Sequence, residues 1–168
     1  FENGDGTIVP VTVLDVTSPT PDGVYSVGDR IDLTMQFSAP VTVAGNPKLK
    51  MSTSGAISKY ATYVSGSGTS TLTFQYIVQP GDNTGSNRLD YANRNALELP
   101  AGTTVVSPIA QSATLTLLNQ GSPHSLAYNK ALFINSTLYW AGGTNNWTSA
   151  NWRLGSPTAT PLQTWIDG

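Results

Sequence analysis

Cysteine is absent from the 168 residues, so disulfides, thiolate metal sites and cysteine nucleophiles are excluded together. That absence does not decide the compartment, because long bacterial surface proteins can dispense with thiols and still face an oxidising medium. Charge is also scarce. Asp, Glu, Lys and Arg make up 11% of the chain, against roughly 25% in ordinary soluble domains. The 8 basic and 10 acidic residues are dispersed, and no cluster exists to neutralise a run of phosphates, so nucleic acid is not an expected partner. No apolar run approaches the ~20 residues that span a bilayer, so no membrane insertion is expected. The start at Phe1 carries neither a basic n-region nor an apolar h-region, and the chain is expected to be a mature or excised segment whose export cannot be read from its beginning.

Hydroxyls and amides stand where charge is missing: 22 Thr, 17 Ser and 12 Asn give a mostly neutral, hydroxylated surface. The 39% hydrophobic content is enough for one principal core. Period-two alternation dominates. Ile31, Leu33, Met35 and Phe37 share one face, with Asp32, Thr34, Gln36 and Ser38 on the other. Leu72, Phe74, Tyr76 and Val78 repeat the pattern, and Leu115 and Leu117 against Thr114 and Thr116 make a third case. Further strands are expected within Val9 to Val16, Val41 to Val43, Lys48 to Met51, Ile57 to Val64, Ala96 to Leu99, Thr103 to Val106 and Ala131 to Ile134. The apolar parity switches between Val13 and Leu14, which predicts a bulge or a strand that changes sheets.

Turn-forming clusters separate these runs at Pro19 to Gly23, Ala44 to Pro47, Ser65 to Gly68 and Pro80 to Gly85. No helix of useful length fits, and Tyr91 to Leu99 could hold a single helical turn before Pro100. Antiparallel strands at this spacing close as a sandwich or a barrel. The Ser/Thr-rich outer faces favour an all-β, immunoglobulin-like antiparallel β-sandwich. All four Trp residues fall late, at Trp140, Trp147, Trp152 and Trp165. The expected organisation is an N-terminal arm at 1–8, the sandwich at 9–136, and a short Trp-rich β segment at 137–168 that opens a following module or serves assembly.

The stretch VTSPTPDGVYSVGDRIDLTMQFSAPVTVAGNPKLKM, followed by ATYVSGSGTSTLTFQYIVQPGDN, LDYANRNALEL and SLAYNKALFI, resembles the immunoglobulin-like, cadherin-like repeats of large bacterial surface and adhesin-like proteins over about residues 9 to 135. The resemblance implies an extracellular, cell-surface β-sandwich with a spacing, adhesive or coat-forming role, whose partners are neighbouring copies or modules. One departure stands out: Ser107 to Ser112 replaces the D-x-x-G-N loop that the family tends to carry before its penultimate strand. The tail LYWAGGTNNWTSANW resembles the opening of Trp- and Asn-rich β-strand repeats of autotransporter-like and planctomycete surface proteins.

Chemistry-bearing residues are few. His124 is the only histidine, it lies in a Ser-Pro-His-Ser loop, and no G-x-S-x-G elbow accompanies it, so nucleophilic catalysis is not expected. The acids lie mostly in turns or on outward strand positions such as Glu98, which argues against a glycosidase pair and for a non-enzyme. Calcium is the stronger candidate. Asp22 and Asp29 flank one turn, and Asp82, Asn83 and Asp90 flank the next long connection; oxygen ligands of this kind build structural Ca2+ sites at the ends of sandwiches, although Asp and Asn in turns also bond the local backbone. Trp140, Trp147 and Trp152 admit two readings, a glycan-stacking platform or the core of a small β-module. Two sequons, at Asn135 and Asn146, would mark exposed loops in an organism that glycosylates asparagine. A structural or adhesive surface module is therefore expected, with a carbohydrate-binding module or an accessory domain of a secreted enzyme as alternatives.

Overall fold

The computed structural model describes residues 9–54 and 59–136, and beyond them the backbone of the short strands at 138–140 and 152–154. The order is β1 (Val13–Thr17), β2 (Gly23–Tyr25), β3 (Arg30–Ala44), β4 (Lys48–Lys50), β5 (Tyr60–Ser65), β6 (Thr69–Ile77), β7 (Leu97–Glu98), β8 (Thr104–Val106), α1 (Leu126–Asn129), β9 (Leu132–Ile134), β10 (Leu138–Trp140) and β11 (Trp152–Leu154). Seven of these strands form one antiparallel, curled sheet, a half-barrel in the order β1-β3-β6-β5-β4-β7 with β8 joined to β3. The expectation of an antiparallel all-β chain holds at that level.

The alternation does what strand geometry requires. Ile31, Leu33, Met35 and Phe37 of β3 lie against Leu72, Phe74 and Tyr76 of β6, all at 1% exposure or less, while Thr34, Gln36, Thr71 and Thr73 face outward. Tyr63 of β5 meets Phe74 edge to face, with ring centroids 6.0 Å apart. The β3–β6 ladder breaks between Gln36 and Val41, the stretch that contains Pro40, so the residue without an N–H sits where no rung needs one. Beyond that break Val41 meets Thr69 of β6 again, and Thr42 to Ala44 pair with β8. The parity switch in β1 is a bulge: the register shifts between Val13 and Asp15, Leu14 turns outward at 46% exposure, and Val16 returns to the core.

Two expectations need correction. Leu117 is buried and Leu115 half-buried, but Leu115 to Leu117 is not a ladder strand. Its stretch bonds a different neighbour at each step: Ala113 N–H to Val105 O, Thr114 N–H to Val11 O, and Leu117 N–H to Arg94 O. It is a strap that bridges the β1 side of the half-barrel to the 90–94 turn, and Tyr91 OH and Gln120 Nε2 fasten it further. The helical turn lies at 126–129 and not within Tyr91 to Leu99, because Ser125 caps it by accepting from Tyr128 N–H. At 91–99 the N–H of Ala92 bonds Lys50 O and that of Lys50 bonds Ala96 O, tying the stretch to β4.

Outside the curled sheet the remaining strands pair separately. β2 pairs in parallel with β9, and isolated bridges carry the pairing from Asn135 to Asn83 and from Asn83 to Ser54. Leu126, Leu132 and Ile134 join the core with Leu89, Tyr91 and Leu117. β10 and β11 form an antiparallel pair in which Leu138 opposes Leu154 and Trp140 opposes Trp152.

Replacing Phe74 by Ala is expected to cost about 3–5 kcal/mol in urea unfolding, whereas Thr73→Ala on the opposite face should stay within about 0.5 kcal/mol. Gly66 offers a sharper test. It holds a φ of +108°, and a Cβ there would sit 2.1 Å from the Thr71 carbonyl oxygen, so Gly66→Ala should lower stability by more than ~1 kcal/mol in the same assay.

Candidate functional site: buried carboxylates and a polar hollow

The five residues expected to hold calcium fall at four places, with only Asp82 and Asn83 adjacent. Asp22, just before β2, accepts from Lys130 Nζ at 2.9 Å and from Ala131 N–H at 3.1 Å. The Lys130 bond holds its carboxyl below the usual range. Asp29 closes a turn by accepting from Ser26 N–H at 2.8 Å. Asn83 Oδ1 accepts from Gly85 N–H, and its backbone carbonyl receives both the N–H and the hydroxyl of Ser54.

Asp82 and Asp90 are inside the molecule, at 2% and 4% exposure. Asp82 accepts from Tyr76 OH, from Gln79 N–H at 2.7 Å and from Thr53 Oγ1 at 3.4 Å. Its carbonyl receives the N–H and the hydroxyl of Ser136, so one residue ties the end of β6 to segments on either side of it in sequence. Burial together with the Asp82 bond pushes the Tyr76 phenol well above its ordinary value. Asp90 accepts from Tyr91 N–H at 2.9 Å and Gly121 N–H at 3.0 Å, and so pins the end of the strap. Burial pushes its pKa up, and the backbone donors around it oppose that shift. Among the described residues no three His, Asp or Glu side chains converge as a metal cage. The acids in sequence proximity to turns are engaged by protein donors, and the distant partners Thr53, Gly121 and Ser136 left no local signal for the burial of Asp82 and Asp90.

His124 adopts a φ of +70° in the turn before α1, and its Nδ1 lies 3.2 Å from Asp15 Oδ1. Asn129 Nδ2 donates to the same oxygen and to Val16 O, while Val16 N–H donates to the His124 carbonyl. The histidine therefore belongs to the docking of α1 on the β1 edge. Glu98, on β7, pairs in register with Lys48, and its carboxylate beside Tyr60 pushes that phenol's pKa up. Trp147 lies outside the described residues.

One concavity among the described residues is an open polar hollow of about 460 Å³ between the 52–54 segment and the 83–88 turn. Thr53 and Thr84 are buried, while Ser52, Ser54, Asn87 and Arg88 are exposed.

No protein-family model, curated protein or solved structure matches the chain.

Asp90 and Asp22, shifted in opposite directions, predict opposite pH responses. The folded chain binds a proton at Asp90 more tightly than the unfolded chain, so that group's contribution to stability is present in acid and lost as pH rises through its folded pKa. At Asp22 the folded pKa is lowered, so its contribution is present above the ordinary Asp range and lost on acidification. Urea unfolding between about pH 3 and pH 7 should show wild type losing ground to Asp90→Asn as pH rises, and gaining ground over Asp22→Asn.

Proposed function

We propose that the chain is a non-catalytic structural module of an extracellular surface protein, acting through contacts between neighbouring modules in a coat, adhesin or filament. The observation that carries this reading is the outer face of the curled sheet. Thr17, Thr34 and Thr73 follow one another across β1, β3 and β6, Gln36 opposes Thr71, and Gln75 opposes Thr62. Charges on that face satisfy one another, as in the two 2.8 Å bonds from Arg30 to Asp32. A face of this kind offers hydrogen-bonding contact and no acid–base pair. The resemblance to immunoglobulin-like surface repeats that the sequence of residues 9 to 135 suggests is part of this proposal and points the same way. In it, the fold is an immunoglobulin-like sandwich whose second sheet is reduced to β2, β9 and the bridges at Asn83 and Ser54.

Neighbours would meet at the open edges. β2 is paired on one side by β9, and Val24 is 67% exposed on it. A single three-residue edge makes a weak contact, so its strength would come from modules held in a row. Antibodies raised against the chain should label intact producing cells. Label confined to lysed cells would overturn the surface reading.

A carbohydrate-binding role is the second reading, favoured by the opposition of Trp140 and Trp152 in the β10–β11 pair. Trp140→Ala and Trp152→Ala should abolish binding on a glycan array if it holds. A structural calcium ion at the Asp-rich turns is tested by chelation. Because Asp22, Asp29, Asp82 and Asp90 already accept from protein donors, the melting temperature is expected to be unchanged by EDTA, and a fall of several degrees would restore the ion.

A further inference from the structure

We propose that the polar hollow is a binding site for an acidic sugar residue, a hydroxylated ring that carries a carboxylate. The hollow, at about 460 Å³, is large enough for one ring of pyranose size and lies within the roughly 300–1,000 Å³ typical of ligand sites. Arg88 is the charged side chain among its described lining residues. One arm of the guanidinium donates to Ala127 O at 3.1 Å, which orients the plane and leaves further N–H groups for a carboxylate fork. Lys59 Nζ donates to the carbonyl of Thr53, a floor residue, and places a second positive charge beside the site. Two carboxylates stand near these cations: Asp82, buried and bonded to Tyr76, Gln79 and Thr53, and Asp22, paired with Lys130 and close enough to Arg88 to feel its charge, and neither forms an ion pair with the Arg88 guanidinium. With Lys130 counted, three cations stand against two carboxylates there, and the guanidinium that pairs with neither is the group that favours an anion in a chain whose formal net charge is −2.

The rest of the lining sets the class of anion. Ser52, Ser54 and Asn87 present two hydroxyls and an amide at the rim. Ser54 Oγ donates to Asn83 O at 2.9 Å, so toward a ligand it acts as an acceptor, matched to a sugar hydroxyl. A polyphosphate would ask for several cations, and the described lining supplies one. A neutral sugar would leave the guanidinium fork unused. No aromatic ring is among the described lining residues, so binding rests on one charge-assisted fork and hydroxyl bonds, and each site is weak. Weak sites suit a polysaccharide that presents the same acidic residue many times. The site goes beyond the structural reading, and its failure would leave that reading standing.

The test is a titration of the isotopically labelled chain with a glucuronate-containing disaccharide, followed by amide chemical shifts. Saturable shifts confined to 52–54 and 83–88 at millimolar affinity are expected, with none from the corresponding glucose disaccharide. Arg88→Ala should weaken binding by at least about tenfold, and Arg88→Lys, which keeps the charge and loses the fork, should fall between. Lys50→Ala changes the net charge equally and should bind as wild type. Absence of saturable shifts, equal affinity for acetate, or binding that survives Arg88→Ala would overturn the proposal. If Arg88→Ala does not fold, Arg88→Lys and Asn87→Ala decide it on the same terms.

Discussion

The β3–β6 ladder is the constraint on which the molecule depends. It is the one pairing long enough to set a register for everything else, and a slip of one residue would turn Leu33, Met35, Leu72 and Phe74 into water while drawing threonines inward. Each of these large side chains contributes roughly 1.5–3 kcal/mol by burial, so such a slip is far outside thermal reach. β1 joins this ladder on one side and β5 on the other, and the shorter strands inherit their positions from those two. The bulge at Leu14 and the gap at Pro40 are the points where the sheet is allowed to bend, and both lie beside the central pair. Curl follows from their placement.

Closure on the inner side uses a different chemistry. The strap, α1 and the loop after β6 have few ladder bonds to offer, and two buried carboxylates replace them. Asp82 and Asp90 gather donors that belong to segments far apart in sequence: Thr53 and Tyr76 at one, Gly121 and Tyr91 at the other. An unpartnered charge in such a place would be expensive, and among the described residues no buried side-chain polar atom lacks a partner. Placing both carboxylates inside fixes one arrangement of loops that apolar contact alone would leave loosely defined.

This division explains how much could be read from residues in order. The strands of the sheet were legible because alternation is local: β3 and β6 follow directly from every second residue, and the parity change at Val13 and Leu14 marked the bulge before any pairing was known. The strap reads as a strand for the same reason, since Leu115 and Leu117 alternate with threonines, yet its bonding partner changes from step to step. β2 escaped notice inside a turn-rich stretch, because only its parallel neighbour β9, more than a hundred residues away, makes it a strand. The aspartates were legible as turn residues and not as core, since their donors arrive from elsewhere in the chain. The polar hollow had no sequence signature at all. Ser52, Ser54, Asn87 and Arg88 are unremarkable in their own neighbourhoods and become a lining only when the Ser54–Asn83 bridge brings two turns together.

A sheet with this little charge on its surface needs another defence against uncontrolled pairing. Proteins usually blunt exposed edges with lysines, prolines or short strands. Here length does most of it: β7 spans two residues and β2 three, and the β1 edge is occupied by the Val11–Thr114 and Val16–His124 bonds and by Asn129. A single edge of that size offers an extended neighbour few rungs, so uncontrolled pairing there is weak even though the exterior carries little charge. The same shortness means that any specific contact must draw on side chains around the edge or on repetition along a tether. Neutral faces, truncated edges and a polar inner closure are thus mutually dependent, because lengthening β2 to strengthen a contact would require charge that the hydroxylated exterior does without.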